Sequence, residues 1–285
     1  MQDQGQRLRE MLAQPGVLVA PGAYDAMSAR LIERAGFPLL YLGSLSIAGA
    51  VAGLPDTGLL SPAELIGHMA RIAGAVDLPV VADLDDGGGN RIRIKRHIAL
   101  AEAAGFAAVH IEDTDLSQGK HLPGAREAVI PKARMVDNVR AAVDSRRTGM
   151  LVIARTDAME CETEEQVLER MLAYAEAGAD MLFIAYMSPD RVRTIRHRLP
   201  LPLLGTVRSR PLPSGEAPPV PDEFKVLTYP SGPLFAAIRH VNEFLEVLKR
   251  TGRNILAEGE NTYETMDRAL NTPEWLDFLR GNRSA

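Results

Sequence analysis

The chain is poor in cysteine: Cys161 is the only one in 285 residues. A disulfide framework and any cysteine-rich zinc or iron–sulfur site are thereby excluded. Positive charge is in deficit, with 32 Lys and Arg against 37 Asp and Glu and a net charge of −5. Nucleic acid is therefore a poor expectation for a partner. No apolar run reaches the ~18 residues that a membrane span needs, so no membrane partner is expected. The opening Met1-Gln2-Asp3-Gln4 has neither the basic nor the apolar stretch of a secretory leader, so a cytoplasmic protein is expected. What is present is a hydrophobic fraction of 46%, ordinary for a globular chain and too high for a disordered one. At about 150 residues per domain the length suggests two domains, but α/β barrels run to ~250 residues as one unit.

Short apolar runs alternate with helical patterns. The runs are Val17–Ala20, Leu39–Leu42, Pro79–Ala82, Ala108–Ile111, Leu151–Ala154, Met181–Ile184, Leu201–Leu204 and Val226–Thr228. Apolar on both faces, they read as parallel strands covered by helices. One helix is expected from Asp25 to Ala35. Another starts near Ser61, an N-cap followed by Pro62 at the first helical position and Glu64 three residues on. Gly36, Gly105 and Gly178 each stand at a helix end just before a strand, where the left-handed C′ position suits glycine. Eight such units read as an α/β (β/α)8 barrel of the TIM type, with an open doubly wound sheet as the alternative. Residues 1–255 are assigned to the barrel and 256–285 to a C-terminal helical extension. Arg208 to Asp222, with five prolines, reads as a loop. The tail carries two helical patterns, split where Thr272 can cap and Pro273 can open a helix. Its stripe of Leu270, Trp275, Phe278 and Leu279 packs either on its own barrel or on a neighbouring subunit.

In a barrel the C-terminal strand ends carry the chemistry. Those ends hold Tyr24 and Asp25, Gly43 to Ser46 with Asp56 beyond, Asp83 to Asn90, Glu112-Asp113 with Lys120 and His121 beyond, and Arg155-Thr156-Asp157. Asp83 and Asp85 are two apart and point the same way on a strand. With Glu112 next door, they crowd carboxylates that must be protonated or hold a cation. An all-oxygen set selects a hard ion, Mg2+ or Mn2+. The plainer reading is a solvated acidic turn before Gly87. The run Gly87-Gly88-Gly89 lacks a Walker ending and reads as a mobile gating loop. Arg155 is either a buried ion-pair member or a clamp for a substrate carboxylate. His110, inside a strand, reads as a core or second-layer residue, and His121 as the better catalytic candidate. His68, His97, His197 and His240 read as surface, and Cys161 as inert.

Five ordered stretches carry a resemblance: Pro21-Gly22-Ala23-Tyr24-Asp25-Ala26, Gly53-Leu54-Pro55-Asp56, Ala82-Asp83-Leu84-Asp85, His110-Ile111-Glu112-Asp113 and Ala154-Arg155-Thr156-Asp157-Ala158. Together they resemble the isocitrate lyase/phosphoenolpyruvate mutase superfamily, with spacing similar to its 2-methylisocitrate lyase and carboxyphosphonoenolpyruvate mutase branches. The resemblance implies a (β/α)8 barrel with a helix swapped between subunits, a homotetramer, and Mg2+-assisted chemistry through a pyruvate enolate. It implies Asp83, Asp85 and Glu112 as metal ligands and Asp56 as the acid of the second loop. It implies Gly43, Ser44 and Leu45 as the segment whose backbone holds a carboxylate, and Arg155 as a substrate-binding arginine. Tyr24 joins these substrate-binding residues, as does Thr206, which stands where an Asn is expected after the seventh strand. The family's lyases carry Lys-Arg-Cys-Gly-His in the gating loop, the Cys serving as acid; here the stretch reads Ser117-Gln118-Gly119-Lys120-His121. A lyase glutamate at the end of the sixth strand is matched by Ala185. His121 is therefore expected to be the acid or to orient the water that is, with Lys120 screening a second substrate charge. The expected activity is Mg2+-dependent cleavage or decarboxylation of a small 2-oxo or 2-hydroxy acid. A phosphonopyruvate-type P–C mutase or hydrolase and a silent or regulatory barrel are the alternatives.

Overall fold

A computed structural model of the chain describes residues 3–118, 120, 122, 128–207, 221–254 and 262–281. Its strands are β1 (Leu18–Pro21), β2 (Leu40–Leu42), β3 (Val80–Asp83), β4 (Ala108–Glu112), β5 (Leu151–Thr156), β6 (Met181–Ile184), β7 (Leu203–Thr206) and β8 (Val226–Tyr229). They pair in the order β1-β8-β7-β6-β5-β4-β3-β2, and every pairing is parallel. A parallel bridge from Gly22 to Tyr41 brings the two outer strands, β1 and β2, together. The expected (β/α)8 barrel is thus the observed fold. The helices are α1 (Gln4–Ala13), α2 (Ala26–Arg34), α3 (Ser44–Ile47), α4 (Pro62–Ala73), α5 (Arg91–Ala103), α6 (Lys132–Ser145), α7 (Glu164–Glu176), α8 (Pro189–Ile195), α9 (Gly232–Thr251), α10 (Thr262–Leu270) and α11 (Thr272–Leu279).

Local chemistry explains the boundaries. Ser61 and Glu64 form a reciprocal capping box at α4 with Pro62 inside it, and Asp25 with Ser28 does the same at α2. Gly36, Gly105 and Gly178 have φ of +81°, +77° and +99°, the left-handed ends expected of them. The seventh strand begins at Leu203 rather than Leu201, because Pro202 has no N–H to give to a ladder. At α11 the cap is Asn271, in a left-handed conformation, and Thr272 is the first helical residue. Its hydroxyl donates instead to Asp267 Oδ1 at 3.0 Å.

Side chains that alternate along the strands divide the core in two. Ala20, Tyr41, Val81, Ile153, Phe183, Leu204 and Val226 form one cluster; Leu42, Val109, Val152 and Leu182 join the helix side chains in the other. Leu8 of α1 belongs to the first cluster, so α1 covers the N-terminal mouth of the barrel. Asp3, its N-cap, ties it there by accepting from the Gly149 N–H at 2.8 Å, just ahead of β5.

The glycine run after β3, expected as a gating loop, forms a tied turn. Gly87, Gly88 and Gly89 all have positive φ, and the turn is tied at each step. Gly87 N–H donates to Leu84 O at 2.8 Å, Gly88 N–H to Asp86 Oδ1 at 2.7 Å, and Arg134 to Gly89 O at 2.8 Å. His97, expected at the surface, is buried and places Nδ1 2.8 Å from Gly87 O. A Cβ on Gly88 would come within 2.8 Å of the His97 ring, so the close approach requires glycine.

Candidate active site

Parallel register brings the charged residues together at the C-terminal rim. Asp83 pairs across the sheet with His110, and Glu112 with Arg155. One oxygen each from Asp83, Asp85 and Glu112 lies within 4.8 Å of the others, and all three residues are buried. Asp85 reaches this place through φ +49°, an uncommon conformation for a residue with a side chain, and its N–H donates to Asp83 Oδ1 at 3.0 Å. The Ser44 hydroxyl, at the start of α3, donates within 3.1 Å of both Asp56 Oδ1 and Asp83 Oδ2. Leu45 beside it is partly exposed, and Gly43 is the N-cap residue of α3. A cleft lined by Ser44, Asp56, Leu60 and Asp85 opens beside the cluster.

Two cations balance these carboxylates. Lys120 places Nζ 2.7 Å from Glu112 Oε1, 2.9 Å from Asp85 Oδ1 and 3.8 Å from Asp56 Oδ2. Arg155 places Nη1 2.9 Å from Glu112 Oε2 and 3.8 Å from Asp83 Oδ2. Its Nε and Nη2 grip Asp157 Oδ1 at 3.1 and 3.0 Å, and its guanidinium lies 5.1 Å over the Phe183 ring. Burial works against the charged form of Glu112, yet Arg155 and Lys120 override it and hold the carboxyl below its ordinary range. Burial pushes Asp85 up to about 7 despite Lys120, with Asp83 and Glu112 adding to the push. Burial disfavours both cations too, but Glu112 and Asp85 hold Lys120, and Asp157 and Glu112 hold Arg155, well above their ordinary values.

The residues present fit a hard divalent cation. Both Glu112 oxygens are buried with no hydrogen bond of acceptable geometry, and the donor set of Asp83, Asp85 and Glu112 is all carboxylate oxygen.

Beneath the cluster, His110 Nε2 lies 2.8 Å from the Tyr41 hydroxyl, and Nδ1 lies 3.5 Å from Asp83 Oδ1. His110 is thus a second-layer residue, and burial lowers its pKa. A further buried network backs β4 and β5. Asp113 accepts from the Thr156 hydroxyl at 2.6 Å, the Asp157 N–H at 2.9 Å and the Tyr174 hydroxyl at 2.7 Å. Asp157 accepts from the Thr114 hydroxyl at 2.5 Å. Sequence reading singled out neither Tyr41 nor Tyr174, whose partners stand 69 and 61 residues away. The polar tip on an otherwise apolar strand was the only signal at Tyr41.

Other expected residues stand apart. Tyr24 is half-buried, and its N–H is held by the Ser28 hydroxyl at 3.1 Å. Thr206 pairs its hydroxyl with that of Thr228 at 3.0 Å. No hydrogen bond or ion pair among the described residues joins either of them to the carboxylates. His121 lies outside the described residues. Cys161 is exposed, and its thiol is pushed up, by burial first and then by Glu162.

Comparison with known proteins adds the lineage. The phosphoenolpyruvate phosphomutase family matches over residues 8–243. A 2,3-dimethylmalate lyase of Eubacterium barkeri is 31% identical over 284 residues, covering 96% of this chain and 93% of the relative. A 2-methylisocitrate lyase of Aeropyrum pernix is 40% identical over 202 residues, covering 70% of this chain and 64% of the relative. A solved 2,3-dimethylmalate lyase, described as a PEP mutase/isocitrate lyase superfamily member, superposes with a TM-score of 0.87 at 29% identity over 99% of both chains. In motif order, rim chemistry and overall similarity alike, the chain belongs to the phosphoenolpyruvate phosphomutase family.

Proposed function

We propose that the chain is a Mg2+-dependent carbon–carbon lyase acting on a small 2-oxo or 2-hydroxy acid through a pyruvate-type enolate. The observation that carries this reading is the buried triad Asp83, Asp85 and Glu112 beside Arg155. Its relatives named 2,3-dimethylmalate lyase and 2-methylisocitrate lyase support it. Asp83, Asp85 and Glu112 would hold the ion, Mg2+ or in its place Mn2+. A bound divalent ion would supply the positive charge that stabilises an enolate as the bond to C3 breaks.

The chain's own residues would do the rest. Arg155 offers a planar fork to a substrate carboxylate, held taut by Asp157. Gly43, Ser44 and Leu45 would receive the carboxylate through backbone N–H groups at the start of α3. Asp56, tied to Ser44, fixes that turn at the cleft. Tyr24 and Thr206 are assigned as further substrate contacts. The family name itself favours a second reading, P–C bond chemistry on a phosphonopyruvate-type substrate.

The proposal includes action in the cytoplasm and assembly as a homotetramer of tail-exchanged dimers. Among the described residues, no helix is long and apolar enough to cross a membrane. Residues 1–255 are the barrel unit and 256–285 the extension in this reading.

Pyruvate release from a panel of 2-oxo and 2-hydroxy acids, with and without Mg2+ after chelation, is the test. Mg2+-dependent release is expected, and Asp85→Ala is expected to abolish it. Turnover of phosphonopyruvate alone would favour the second reading, and no turnover of any acid would leave a silent barrel.

A further inference from the structure

Lys120 stands where a second cation would have to go. Its side chain is 1% exposed, and its ammonium touches two of the three clustered carboxylates, at 2.7 Å from Glu112 and 2.9 Å from Asp85. A small divalent ion bound by those two carboxylates needs oxygens at about 2.0–2.1 Å, in the space the ammonium now fills. A monovalent and a divalent cation a few ångströms apart in a buried site repel strongly, because little water screens them. Charge and volume therefore both disfavour full occupancy of the cluster by the two at once.

From this crowding, and resting on the metal-site reading above, we propose that Lys120 is an internal competitor for the divalent cation. Its ammonium is the counter-cation of Asp85 and Glu112 when no ion is bound, and ion binding expels it from between them. The device has a physical rationale. Arg155 alone leaves three buried carboxylates with one positive charge, so the internal ammonium supports the ion-free site. The same ammonium weakens divalent binding, since each ion that enters must first break two charge-assisted contacts. The rival view makes Lys120 a permanent member of the cluster that stays in place when metal binds.

The test reads metal binding directly, with Mn2+ as the probe and the full chain as the protein. Free Mn2+ is followed by electron paramagnetic resonance as it is titrated into metal-free wild type, Lys120→Met and Asp85→Ala. Lys120→Met, which keeps the apolar stem and removes the charge, is expected to bind Mn2+ at least tenfold more tightly than wild type. Equal affinities in the two would overturn the competition while leaving the metal site standing. Loss of binding in Asp85→Ala is expected, as the control that the ion read is the one at this cluster. No binding in any of the three would remove the metal-site reading and the competition together. A second measurement needs no variant. Acetylation of wild-type lysines, mapped by mass spectrometry, is expected to modify Lys120 faster at saturating Mg2+ than in its absence. An unchanged rate would count against expulsion.

Discussion

Arg170 reaches inward from α7 and ends among buried acceptors. Its Nη1 donates to Ile130 O at 3.0 Å and to Asp113 Oδ2 at 3.3 Å, while Nε and Nη2 grip Glu162 at 2.7 and 2.5 Å. Because Asp113 follows Glu112 and accepts from Thr156, this one guanidinium braces both strand ends that carry Glu112 and Arg155. Removing one partner of a buried ion pair leaves an uncompensated charge, so Arg170→Met is expected to cost about 3–5 kcal/mol in chemical denaturation at neutral pH. The pH dependence has a definite sign. The hydrogen bond from Arg170 holds the Glu162 carboxyl below its ordinary 4.5. That contribution is complete above the ordinary value and is lost as the pH falls through the lowered one. The stability gap between wild type and Arg170→Met should therefore narrow below pH 4.5; a gap that widens in acid would contradict the assignment. At this scale, legibility depended on sequence distance. Asp83, Asp85 and Glu112 could be read from strand-end placement alone. The partners of Asp113 could not, since Thr156 and Tyr174 stand 43 and 61 residues away. Lys120 was visible as a loop cation, but its burial depends on a path that no periodicity encodes.

Among the elements, the meeting of β1 with its two neighbours is the tightest. Gly22 N–H donates to Tyr229 O at 2.9 Å, and the next residue, Ala23, donates to Tyr41 O at 3.0 Å. A Cβ on Gly22 would fall 1.9 Å from Pro230 O, which is backbone and cannot swing aside. Gly22→Ala is accordingly expected to destabilise by about 1–3 kcal/mol, as overpacking does, and to reduce activity by prying apart the rim beside α3. Gly36→Ala, at φ +81° but with nothing within 4 Å, is expected to cost only about 1–2 kcal/mol and to spare activity. Denaturation and pyruvate release, measured on both variants, separate a packing clash from a local conformational penalty. Helix starts and ends were legible here because caps and glycines act within four residues. The start of β7 is less legible, because Leu201 is as apolar as the strand while Pro202 lacks the donor that a ladder needs. His97 is hard to place for a related reason: its polarity points to the surface, while its position three residues after buried Ile94 puts it on the inner face of α5.

For the molecule as a whole, the unfinished surface is at the C-terminal end of the chain. On α9, Phe235, Ile238, Val241 and Leu245 are about half exposed along one face. α10 packs on α2 and buries Ala269, yet on α11 Trp275 is 68% and Phe278 81% exposed. The two readings of the tail thus divide: α10 lies on its own barrel, while α11 is left bare. Large aromatics bury roughly 150–250 Å2 each, and a run of them in water marks a contact surface. A second copy of the chain is the occupant proposed above. Sedimentation of wild type is expected to give a species larger than the monomer, and Trp275→Ser with Phe278→Ser to shift it toward the monomer. A monodisperse wild-type monomer would rule the exchange out.

The floor laid by α1 has one more consequence, for traffic. Leu8 and the interior side chains of the barrel are fully or almost fully buried, and Asp3 bolts the helix to Gly149. Among the described residues α1 closes the N-terminal mouth, so a ligand of the rim carboxylates would arrive and depart on the C-terminal side. Arrivals and departures would then share one queue, and product inhibition competitive with substrate is the expected kinetic pattern.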